Sequence, residues 1–573
     1  MTAYSRPGVY LNELPLIAAP IDSSSAATSA GAVIAAFPQG PDTVTLVTSW
    51  YDFQQKFGSY NSKYPATFSV ASFFRNGGTN LYVKRILPTI AKRLAKASIP
   101  DQASGVIATI AAKHRGIDGN SIRVKFSASK AVRQSGYFDL SVYVDAGASD
   151  TISGGVVTAN GGDDILVEQF NGIVFNDPTS SDYITTVLNY GSAYIKVYEG
   201  AVTEYDATTG AAVEPVVTYT TNHTVGVLPS YSMIPLTGAP NPQQPLTYED
   251  YTGDGSGDDG DAPVSPVYTD ATVFNEFAVI DQPLVFFLPD VINTMTVYDG
   301  GDHSPGGWTA AKVVYNLLID YVGANKRDFV VVETASGLIP DLAVAASGEI
   351  TVSSQAAVYY PNYYIKDAIG HSGAAVRLVG PSAGVVGLYL ATDAAVGPFK
   401  APAGIDAKLQ DAVAIERAFS SADLDVLNSG VTSGGSLYNP VNAVRNIPGA
   451  GVVVMGARTT KQDNTANKYV NMRRSLIYIE KRLNDLLQFA VFENNTEKLW
   501  SQINTVVGVF LNDYRNSGGL RGSTVDSSFY IKCDAENNNA TTIAAGEVHI
   551  EIGVALEYPA EFVVINLSQK TAE

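Results

Sequence analysis

Charge is distributed very unevenly along this chain of 573 residues. Between residues 134 and 311 the sequence contains 24 acidic residues and one basic residue, Lys196, whereas the remainder contains 36 basic and 32 acidic residues. A segment whose net charge is −23 repels other copies of itself, so it is poorly suited to a close contact between identical subunits. We therefore expect the acidic middle of the chain to face solvent. The two ends of the chain, in which basic and acidic residues nearly cancel, can pack against other subunits.

The overall composition favours packed domains over disorder. Apolar residues make up 46% of the chain and charged residues only 16%, which also suggests that much of the surface becomes covered by protein. At about 150 residues per domain, the length corresponds to three or four domains. The negative net charge argues against nucleic acid as the main partner.

The number of cysteines and the lengths of the apolar runs indicate in which compartment the chain is made and whether it enters a membrane. Cys533 is the single cysteine, so no intrachain disulfide can form and synthesis in a reducing cytoplasm is expected. No apolar run approaches the roughly 18 residues of a membrane helix, which predicts no membrane insertion. The apolar stretch 14–21 follows Glu13 and contains Pro15 and Pro20, which is unlike a secretory signal peptide.

Hydrophobic patterning separates the first half of the chain into two regions. The first region predicts an extended arm, a strand, two helices and a strand, at 4–14, 30–36, 51–57, 67–76 and 81–86. The second contains short β-type runs separated by Gly, Asn and Asp, which predict an antiparallel β domain with strands at 105–112, 121–127, 137–144, 165–167 and 194–198. Residues 211–270 are rich in Pro, Thr, Tyr and Asp and predict a long surface loop, above all at 240–270.

Beyond residue 271, strands and helices alternate. Apolar strands at 284–288 and 329–332 flank a helix at 308–322, and this order predicts two parallel strands in an α/β layer. The residues assigned to the apolar face of that helix are Val313, Leu317, Ile319 and Tyr321. Further on, the pattern predicts two amphipathic helices and two strands, at 469–487, 498–513, 548–554 and 561–567.

The predicted fold class is therefore mixed α/β and multidomain. It comprises an α/β core, a β-rich outer insertion, and extended N- and C-terminal arms. The predicted segments are an N-terminal arm, a first core part, an acidic β domain, an α/β subdomain, a C-terminal core and a C-terminal arm, bounded as 1–22, 23–98, 99–270, 271–384, 385–556 and 557–573.

One short motif matches a catalytic pattern. Residues 380–384 read Gly-Pro-Ser-Ala-Gly, as in a hydrolase nucleophile elbow, and the apolar run 376–379 precedes them. The only histidine after Ser382 is His549, and Pro381 suits an ordinary turn. We interpret the motif as a turn, and an esterase that uses Ser382 is the alternative from a different function class.

Two other stretches are also interpreted as structural. Residues 448–454 lack the third glycine of a dinucleotide fingerprint, and no strand is predicted before them, so they predict a tight turn into a buried strand. Residues 250–261 place Asp254, Gly255 and Asp258 as in a calcium loop, but Asp261 stands where that loop has Glu. The five histidines are scattered along the sequence. We therefore expect neither a metal nor a cofactor.

Several short motifs occur in a fixed order. They include Arg6-Pro7-Gly8-Val9-Tyr10, Ser49-Trp50-Tyr51-Asp52-Phe53, Phe73-Phe74-Arg75-Asn76-Gly77-Gly78, Tyr359-Tyr360-Pro361-Asn362, Phe492-Glu493-Asn494-Asn495 and Pro559-Ala560-Glu561-Phe562. Together they resemble the contractile tail sheath family, which includes phage tail sheaths and the sheaths of R-type bacteriocins. Val396 and Phe399 depart from the Arg and Trp that are usual in this family. The resemblance extends over residues 20–90 and 355–570 and is poor over 99–270.

This resemblance implies a structural protein rather than an enzyme. It implies a homo-oligomer of hexameric rings stacked helically around a tail tube protein, with baseplate and tail terminator proteins as further partners. The sheath would belong to a virion and would contract to drive the tube through a host cell envelope for genome delivery. Two alternatives stay open: a sheath from a bacteriocin or other contractile injection system, and an acidic β-rich adhesin formed by 99–270.

A basic stretch is the predicted contact with such a tube. Between Arg458 and Arg482 there are seven basic and two acidic residues, and a polar contact can hold a partner and later release it. An ordinary solvated helix face is the alternative. The predicted tube-facing residues are Arg473, Arg474, Lys481, Arg482, Lys498 and Arg515.

Both ends of the chain are predicted to be strands exchanged between neighbouring subunits. The arms at 9–14 and 562–567 are short and partly apolar. A lone strand satisfies its backbone hydrogen bonds by joining the edge of a neighbour's sheet, although pairing within its own subunit is the alternative. The residues assigned to these strands are Val9, Tyr10, Leu11, Phe562, Val563, Val564 and Ile565.

Overall fold

A computed structural model provides the structure of the chain. It describes residues 29–61, 64–86, 96–100, 106–114, 122–129, 132, 137–144, 151–153, 156–159, 165–174, 179–199, 271–289, 291–292, 306–325, 327–369, 375–461 and 466–561. Both predicted exchange strands, with Val9, Tyr10 and Leu11 in one and Phe562, Val563, Val564 and Ile565 in the other, lie outside the described residues. The predicted surface loop at 240–270, with its calcium-like motif, also lies outside them.

Strands and helices alternate along the described chain. The strands are β1 Ala30–Ala35, β2 Thr45–Val47, β3 Leu81–Arg85, β4 Lys96–Pro100, β5 Val106–Ala112, β6 Ile122–Ala128, β7 Tyr137–Val144, β8 Thr151–Ser153, β9 Val156–Ala159, β10 Ile165–Val174, β11 Ile195–Glu199, β12 Leu284–Phe287, β13 Phe329–Glu333, β14 Ala356–Tyr360, β15 Tyr363–Lys366, β16 Val376–Val379, β17 Ala412–Ile415, β18 Asn442–Ile447, β19 Gly451–Val454, β20 Phe529–Lys532 and β21 Glu551–Val554. The α-helices are α1 Trp50–Phe57, α2 Ala66–Arg75, α3 Ile184–Gly191, α4 Ala271–Asn275, α5 Gly306–Asn325, α6 Pro340–Ser347, α7 Pro381–Ala395, α8 Ser421–Ser429, α9 Val470–Leu487, α10 Glu497–Asn516, α11 Val525–Ser528 and α12 Ala540–Ala544. Short 3-10 turns occupy Glu276–Val279, Ala466–Lys468 and Gln488–Ala490.

An eight-stranded sheet forms the centre of the core, in the order β19-β18-β14-β13-β12-β1-β3-β2. The strands from β18 to β3 run parallel, and β19 and β2 pair antiparallel at the two edges. The predicted segments 23–98, 271–384 and 385–556 all contribute strands to this one sheet. The boundary predicted at residue 384 falls inside helix α7, so it does not separate two independent cores.

Helices cover both faces of the sheet, which explains why its inner strands are apolar on both sides. Alternate residues of each strand enter different cores: Val33 and Val331 lie in one, and Ile34 and Val332 in the other. The first core also contains buried side chains of α1, α2 and α7, and the second contains those of α5, α6 and α8.

The predicted pairing of the strands that flank α5 is confirmed, because β12 and β13 are parallel with Val285 opposite Phe329. The apolar face predicted for α5 is wrong at two positions: Val313 and Leu317 are 45% and 39% exposed. The residues of α5 that face the core are Ala311, Val314, Tyr315, Leu318, Ile319 and Val322. Their spacing follows the helical period, whereas the predicted set mixed residues from opposite sides of the helix.

The acidic insertion is an antiparallel β structure, as predicted. Its described strands form two three-stranded sheets, ordered β10-β7-β6 and β11-β5-β4, and a two-stranded sheet of β8 and β9. Side chains such as Ile110, Leu140, Val142 and Leu188 form a core that includes helix α3. Strand β10 extends from Ile165 to Val174, well beyond the predicted run at 165–167.

The C-terminal part of the core is built on the two amphipathic helices that the sequence predicts, α9 and α10. Met472 and Ile479 of α9 pack with Ile503, Val507 and Leu511 of α10. The two-stranded sheet of β20 and β21 contributes further side chains to this cluster. Among the helices that the structure describes, none has the length and apolar character required to cross a membrane.

Candidate functional site: the junction of the two arms

The start of helix α9 (Val470–Leu487) contacts the core and also the first and last described parts of the chain. The side-chain amide of Asn471 donates at 3.3 Å to the carbonyl oxygen of Glu557, the first residue of the predicted C-terminal arm. Arg474 donates to Ser29 Oγ at 3.4 Å, and Ser29 is the first residue that the structure describes. Asn471 also donates to the carbonyl oxygen of Phe399 at 2.9 Å, which links this turn to the segment after α7. We call the residues 469–474, with Ser29 and 557–561, the arm junction.

Arg474 is fixed in the arm junction by a buried ion pair. Its Nη1 donates to Asp393 Oδ1 at 2.9 Å, and its Nη2 donates to Asp393 Oδ2. The side chains of Arg474 and Asp393 are only 3% and 1% exposed. The guanidinium lies over the ring of Tyr389, 4.7 Å from its centroid. Two parallel hydrogen bonds and a stacked ring offset the cost of removing both charges from water.

Tyrosine hydroxyls extend this polar network into the core. The hydroxyls of Tyr389 and Tyr359 are 2.5 Å apart, and both side chains are fully buried. Burial raises the pKa of both phenols, so they remain protonated and neutral at physiological pH. The hydroxyl of Tyr514 on α10 donates to Ser475 Oγ at 3.0 Å, so α9 is bonded to α10 as well as to α7.

A second arginine holds the base of the C-terminal arm. Arg458 Nε donates to Glu561 Oε1 at 2.8 Å, and Arg458 Nη2 donates to Oε2 at 2.6 Å. The hydroxyl of Tyr469 also donates to Oε2, at 3.3 Å. Partial burial raises the pKa of Glu561, but the hydrogen bonds and charge of Arg458 outweigh it and leave the pKa below its ordinary value. Glu561 therefore remains ionised and paired at neutral pH.

A groove of about 320 Å³ lies beside this ion pair. One wall consists of the arm residues Pro559, Ala560 and Glu561. The remaining lining comes from α8, from β18 and from the segments 401–404 and 455–457, and it includes Asp425, Asn428, Arg445 and Met455. The last described residues of the chain therefore lie along this groove.

The six predicted tube-facing residues have different surroundings. Arg474 is buried, so it cannot belong to an exposed basic stripe, and this part of the prediction is corrected. Lys481 donates to Asp281 Oδ2 at 2.8 Å and also bonds Asp485, and Arg515 donates to Asn512 Oδ1 at 3.1 Å. Arg473 and Arg482 are partly exposed and Lys498 is exposed, so a tube contact through these residues remains a prediction.

Ser382 lies in the first turn of helix α7, not in a plain turn as the sequence suggested. Its side chain is fully buried, and its Oγ donates to Glu333 Oε2 at 2.6 Å. His549, the only histidine that follows Ser382 in the sequence, forms a pair with Glu547 at 2.8 Å. The arrangement caps a helix start with a carboxylate and leaves the Ser382 hydroxyl out of reach of a substrate.

The glycine-rich stretch 448–454 comprises a hairpin turn at 448–450 and strand β19, so the predicted tight turn into a buried strand is confirmed. A strand does precede it, because β18 ends at Ile447 and pairs antiparallel with β19, contrary to the expectation that no strand comes before the turn. Gly449 and Gly451 have φ values of +85° and +88°, which explains the glycines without a nucleotide. In the ranges that the structure describes, no cluster of three or more His, Cys, Asp or Glu side chains could hold a metal ion.

The sequence motifs included residues of the arm junction, but they did not predict which of these residues pair with each other. Asp393, Arg458 and Glu561 each lie within a stretch that resembles the sheath family. Asp393 and Arg474 are 81 positions apart, and Arg458 and Glu561 are 103 apart. No local sequence pattern connects residues at such separations. The two ion pairs could therefore be recognised only from the three-dimensional structure.

Comparison with known sequences points to one family. A family model for the phage tail sheath C-terminal domain matches residues 462–570. The chain is 25% identical over 306 residues to the tail sheath protein of Vibrio phage KVP40, covering 48% of this chain and 42% of that protein. It is 25% identical over 130 residues to the tail sheath protein of Salmonella phage ViI, covering 23% of this chain and 20% of that protein. The chain thus spans less than half the length of the curated relatives it matches.

Solved structures share the fold over nearly the whole chain. The contracted helical sheath of the anti-feeding prophage matches with a TM-score of 0.52 and 18% identity, covering 99% of this chain and 100% of that one. The contracted sheath complex of the extracellular contractile injection system PVC matches at 0.50 and 18%, covering 100% and 99%. The sheath tail protein Lin1278 from Listeria innocua matches at 0.51 and 13%, covering 89% of each chain. These likenesses establish a mixed α/β fold of the sheath type.

Proposed function

Because this chain belongs to the phage tail sheath family, we propose that it polymerises around a tail tube and contracts to drive that tube through a cell envelope. The observation that carries the proposal is the agreement between the C-terminal family match and a sheath-type fold over nearly the full chain. Members of this family are structural proteins rather than enzymes. The esterase alternative is wrong, because Ser382 is buried against Glu333.

The proposed assembly is a stack of hexameric rings that wind helically around a tail tube protein. The tube, baseplate and tail terminator proteins are the proposed partners, and the proposed location is the tail of a virion made in a host cytoplasm. Contraction would draw on the free-energy difference between two ways of packing the same rigid subunits. The subunit suits such a role because one eight-stranded sheet unites most of its core.

The arms are the proposed links between subunits. The arm junction supports this, because the described residues at each chain end are bonded to the core at the start of α9 while 1–28 and 562–573 continue beyond it. In the described residues, β20 and β21 form a sheet with each other alone, so its outer edges could accept strands from neighbours. Exchange of this kind keeps subunits linked while their other contacts change.

A second candidate is the sheath of a contractile injection system that is not a phage. It is favoured by the full-length likeness to the anti-feeding prophage and PVC sheaths. The phage assignment is favoured by the curated relatives, which are both phage proteins. The two candidates share the subunit mechanism and differ in whether a genome follows the tube.

Electron microscopy of the purified full-length chain tests the shared mechanism. We expect striated tubes or short hollow cylinders, since sheath subunits carry their own assembly contacts. A preparation that stays monomeric at every concentration, with and without tube protein, would overturn the proposal.

A further inference from the structure

Hydrogen bonds to the core hold Arg458 in place independently of its contact with the arm. The side chain of Asn442 accepts from the backbone N–H of Arg458 and donates to its carbonyl oxygen, both at 2.8 Å. Arg458 Nη1 donates to the carbonyl oxygen of Asn428 at 2.7 Å, at the end of α8. Both the backbone and the guanidinium of Arg458 are therefore fixed by buried parts of the core.

The remaining donors of this fixed guanidinium grip Glu561 through two parallel hydrogen bonds. A planar fork that meets both carboxylate oxygens sets an orientation as well as a position, which a lysine ammonium cannot do. The two side chains are 10% and 19% exposed, so water screens the pair only in part.

We infer that Arg458 is a positioning residue that sets the direction in which the C-terminal arm leaves the subunit. This inference rests on the proposed function, because direction matters only if the arm must reach a neighbour. The predicted strand at 562–567 ends six residues beyond Glu561. An extended strand of that length spans about 20 Å. A 30° error at its base would displace its tip by about 10 Å, or roughly two strand spacings.

We expect the subunit to fold without this pair. Glu561 is at the end of the described chain and belongs to none of the four buried apolar clusters. Loss of the pair should therefore leave the melting transition of the subunit in place and act on assembly. A merely structural salt bridge would show the opposite pattern.

The test compares full-length Arg458→Lys and Glu561→Gln with the parent protein and with Asp320→Asn. Asp320 is exposed on helix α5 and lies outside the arm junction, so Asp320→Asn controls for the loss of one carboxylate charge. The critical concentration for tube formation is measured by sedimentation and electron microscopy. Hydrogen exchange of 555–561 reports on the base of the arm, and circular dichroism reports on folding.

We expect Arg458→Lys and Glu561→Gln to raise the critical concentration about tenfold, equivalent to ~1.4 kcal/mol. Exchange of 555–561 should become faster in both variants, while melting is unchanged and Asp320→Asn matches the parent. If both variants assemble at the parental concentration, the inference is overturned. If Arg458→Lys has a lower melting temperature than the parent, the conclusion is drawn from Glu561→Gln, because that variant changes only the arm side of the pair.

Failure of the proposed function would be recognised separately. A parent protein that never forms tubes would count against the sheath assignment, whatever the variants do. In that case hydrogen exchange tests whether Arg458 positions the arm. If residues 555–561 exchange at the same rate in Arg458→Lys and Glu561→Gln as in the parent, the inference is overturned.

Discussion

Arg474 and Asp393 form a buried ion pair that joins helix α9 to the end of helix α7. The two side chains meet through two hydrogen bonds and are almost entirely removed from solvent. Because the same guanidinium contacts Ser29 and lies over Tyr389, this pair connects the first described residue of the chain to the central core. A charge placed in this way depends on its partner.

Asp393→Asn should destabilise the subunit strongly. The substitution keeps the shape of the side chain but leaves the buried charge of Arg474 uncompensated, which typically costs about 3–5 kcal/mol. The measurement is chemical denaturation of the unassembled subunit. The exposed Asp513 on α10 provides the control, since Asp513→Asn should change stability by less than about 0.5 kcal/mol. Similar midpoints for the two variants would contradict the assigned role of the pair.

Asp328→Asn should change how stability depends on pH. Burial raises the pKa of Asp328 to about 6, although the N–H of Leu284 and the charge of Arg327 act in the opposite direction. Because the folded state holds this proton more tightly than the unfolded state, the parent loses stability as pH rises from about 4 to about 6. The variant should lack this decline and gain about 2 kcal/mol above pH 7.

Denaturation midpoints measured from pH 4 to pH 8 test this expectation. Asp320→Asn, at an exposed position on α5, is the control and should retain the parental pH profile. If the stability of Asp328→Asn depends on pH in the same way as that of the parent, the Asp328 carboxyl is not the cause of the decline.

Phe492→Asn should stabilise the subunit modestly. Phe492 has φ of +67° and a side chain that is fully exposed, so it strains the backbone without packing against its own subunit. Asn tolerates the left-handed region better, and we expect a gain of about 0.5–1 kcal/mol. The neighbouring Val491 is also exposed but has φ of −70°, so Val491→Asn should give no such gain. A loss of stability in Phe492→Asn would mean that the ring makes contacts within the subunit.

Arg482→Glu combined with Lys498→Glu should weaken assembly on tubes. Among the predicted tube-facing residues, Arg482 and Lys498 have partly or fully exposed side chains that take no part in the ion pairs described above. Arg521 is an exposed basic residue in the same part of the core, and Arg521→Glu is the matched control. Cosedimentation of sheath with tubes should fall in the double variant and not in the control. Equal cosedimentation would place the tube contact elsewhere.

Deleting residues 1–20 should abolish tubes without unfolding the subunit. The described fold begins at Ser29, so the deletion leaves β1 and its contacts in place. Circular dichroism should stay close to that of the parent, while electron microscopy should show no tubes. Deleting residues 1–3, which precede the predicted arm at 4–14, is the control. Normal tubes from the longer deletion would refute the linking role of the N-terminal arm.

Local patterns predicted the elements of this fold well. Strand β7 was predicted at the observed bounds, and helices α9 and α10 were placed within three residues, because long periodic segments have a strong signal. The parallel pairing of β12 and β13 followed from the strand, helix, strand order. The exposed side of α5 was assigned less well, because that helix is apolar on more than one face.

The candidate site was much less predictable than the fold. Arg474 was expected on an exposed stripe because helical spacing groups it with Lys481 and Arg482. Its burial depends on Asp393, which lies on a different helix and is distant in sequence. Long-range pairing of charges is decided by packing, which a periodic pattern of one helix does not contain.

The first and last described parts of the chain, Ser29 and 557–561, contact the same short stretch, 469–474, and this has a mechanical consequence. Neighbours that grip the two arms would hold the subunit at one corner, rather than across its width. The bulk of the molecule is then free to swing about that corner as a single body. The arm junction would act as a pivot, and large rotations in an assembly would need little deformation within the subunit itself.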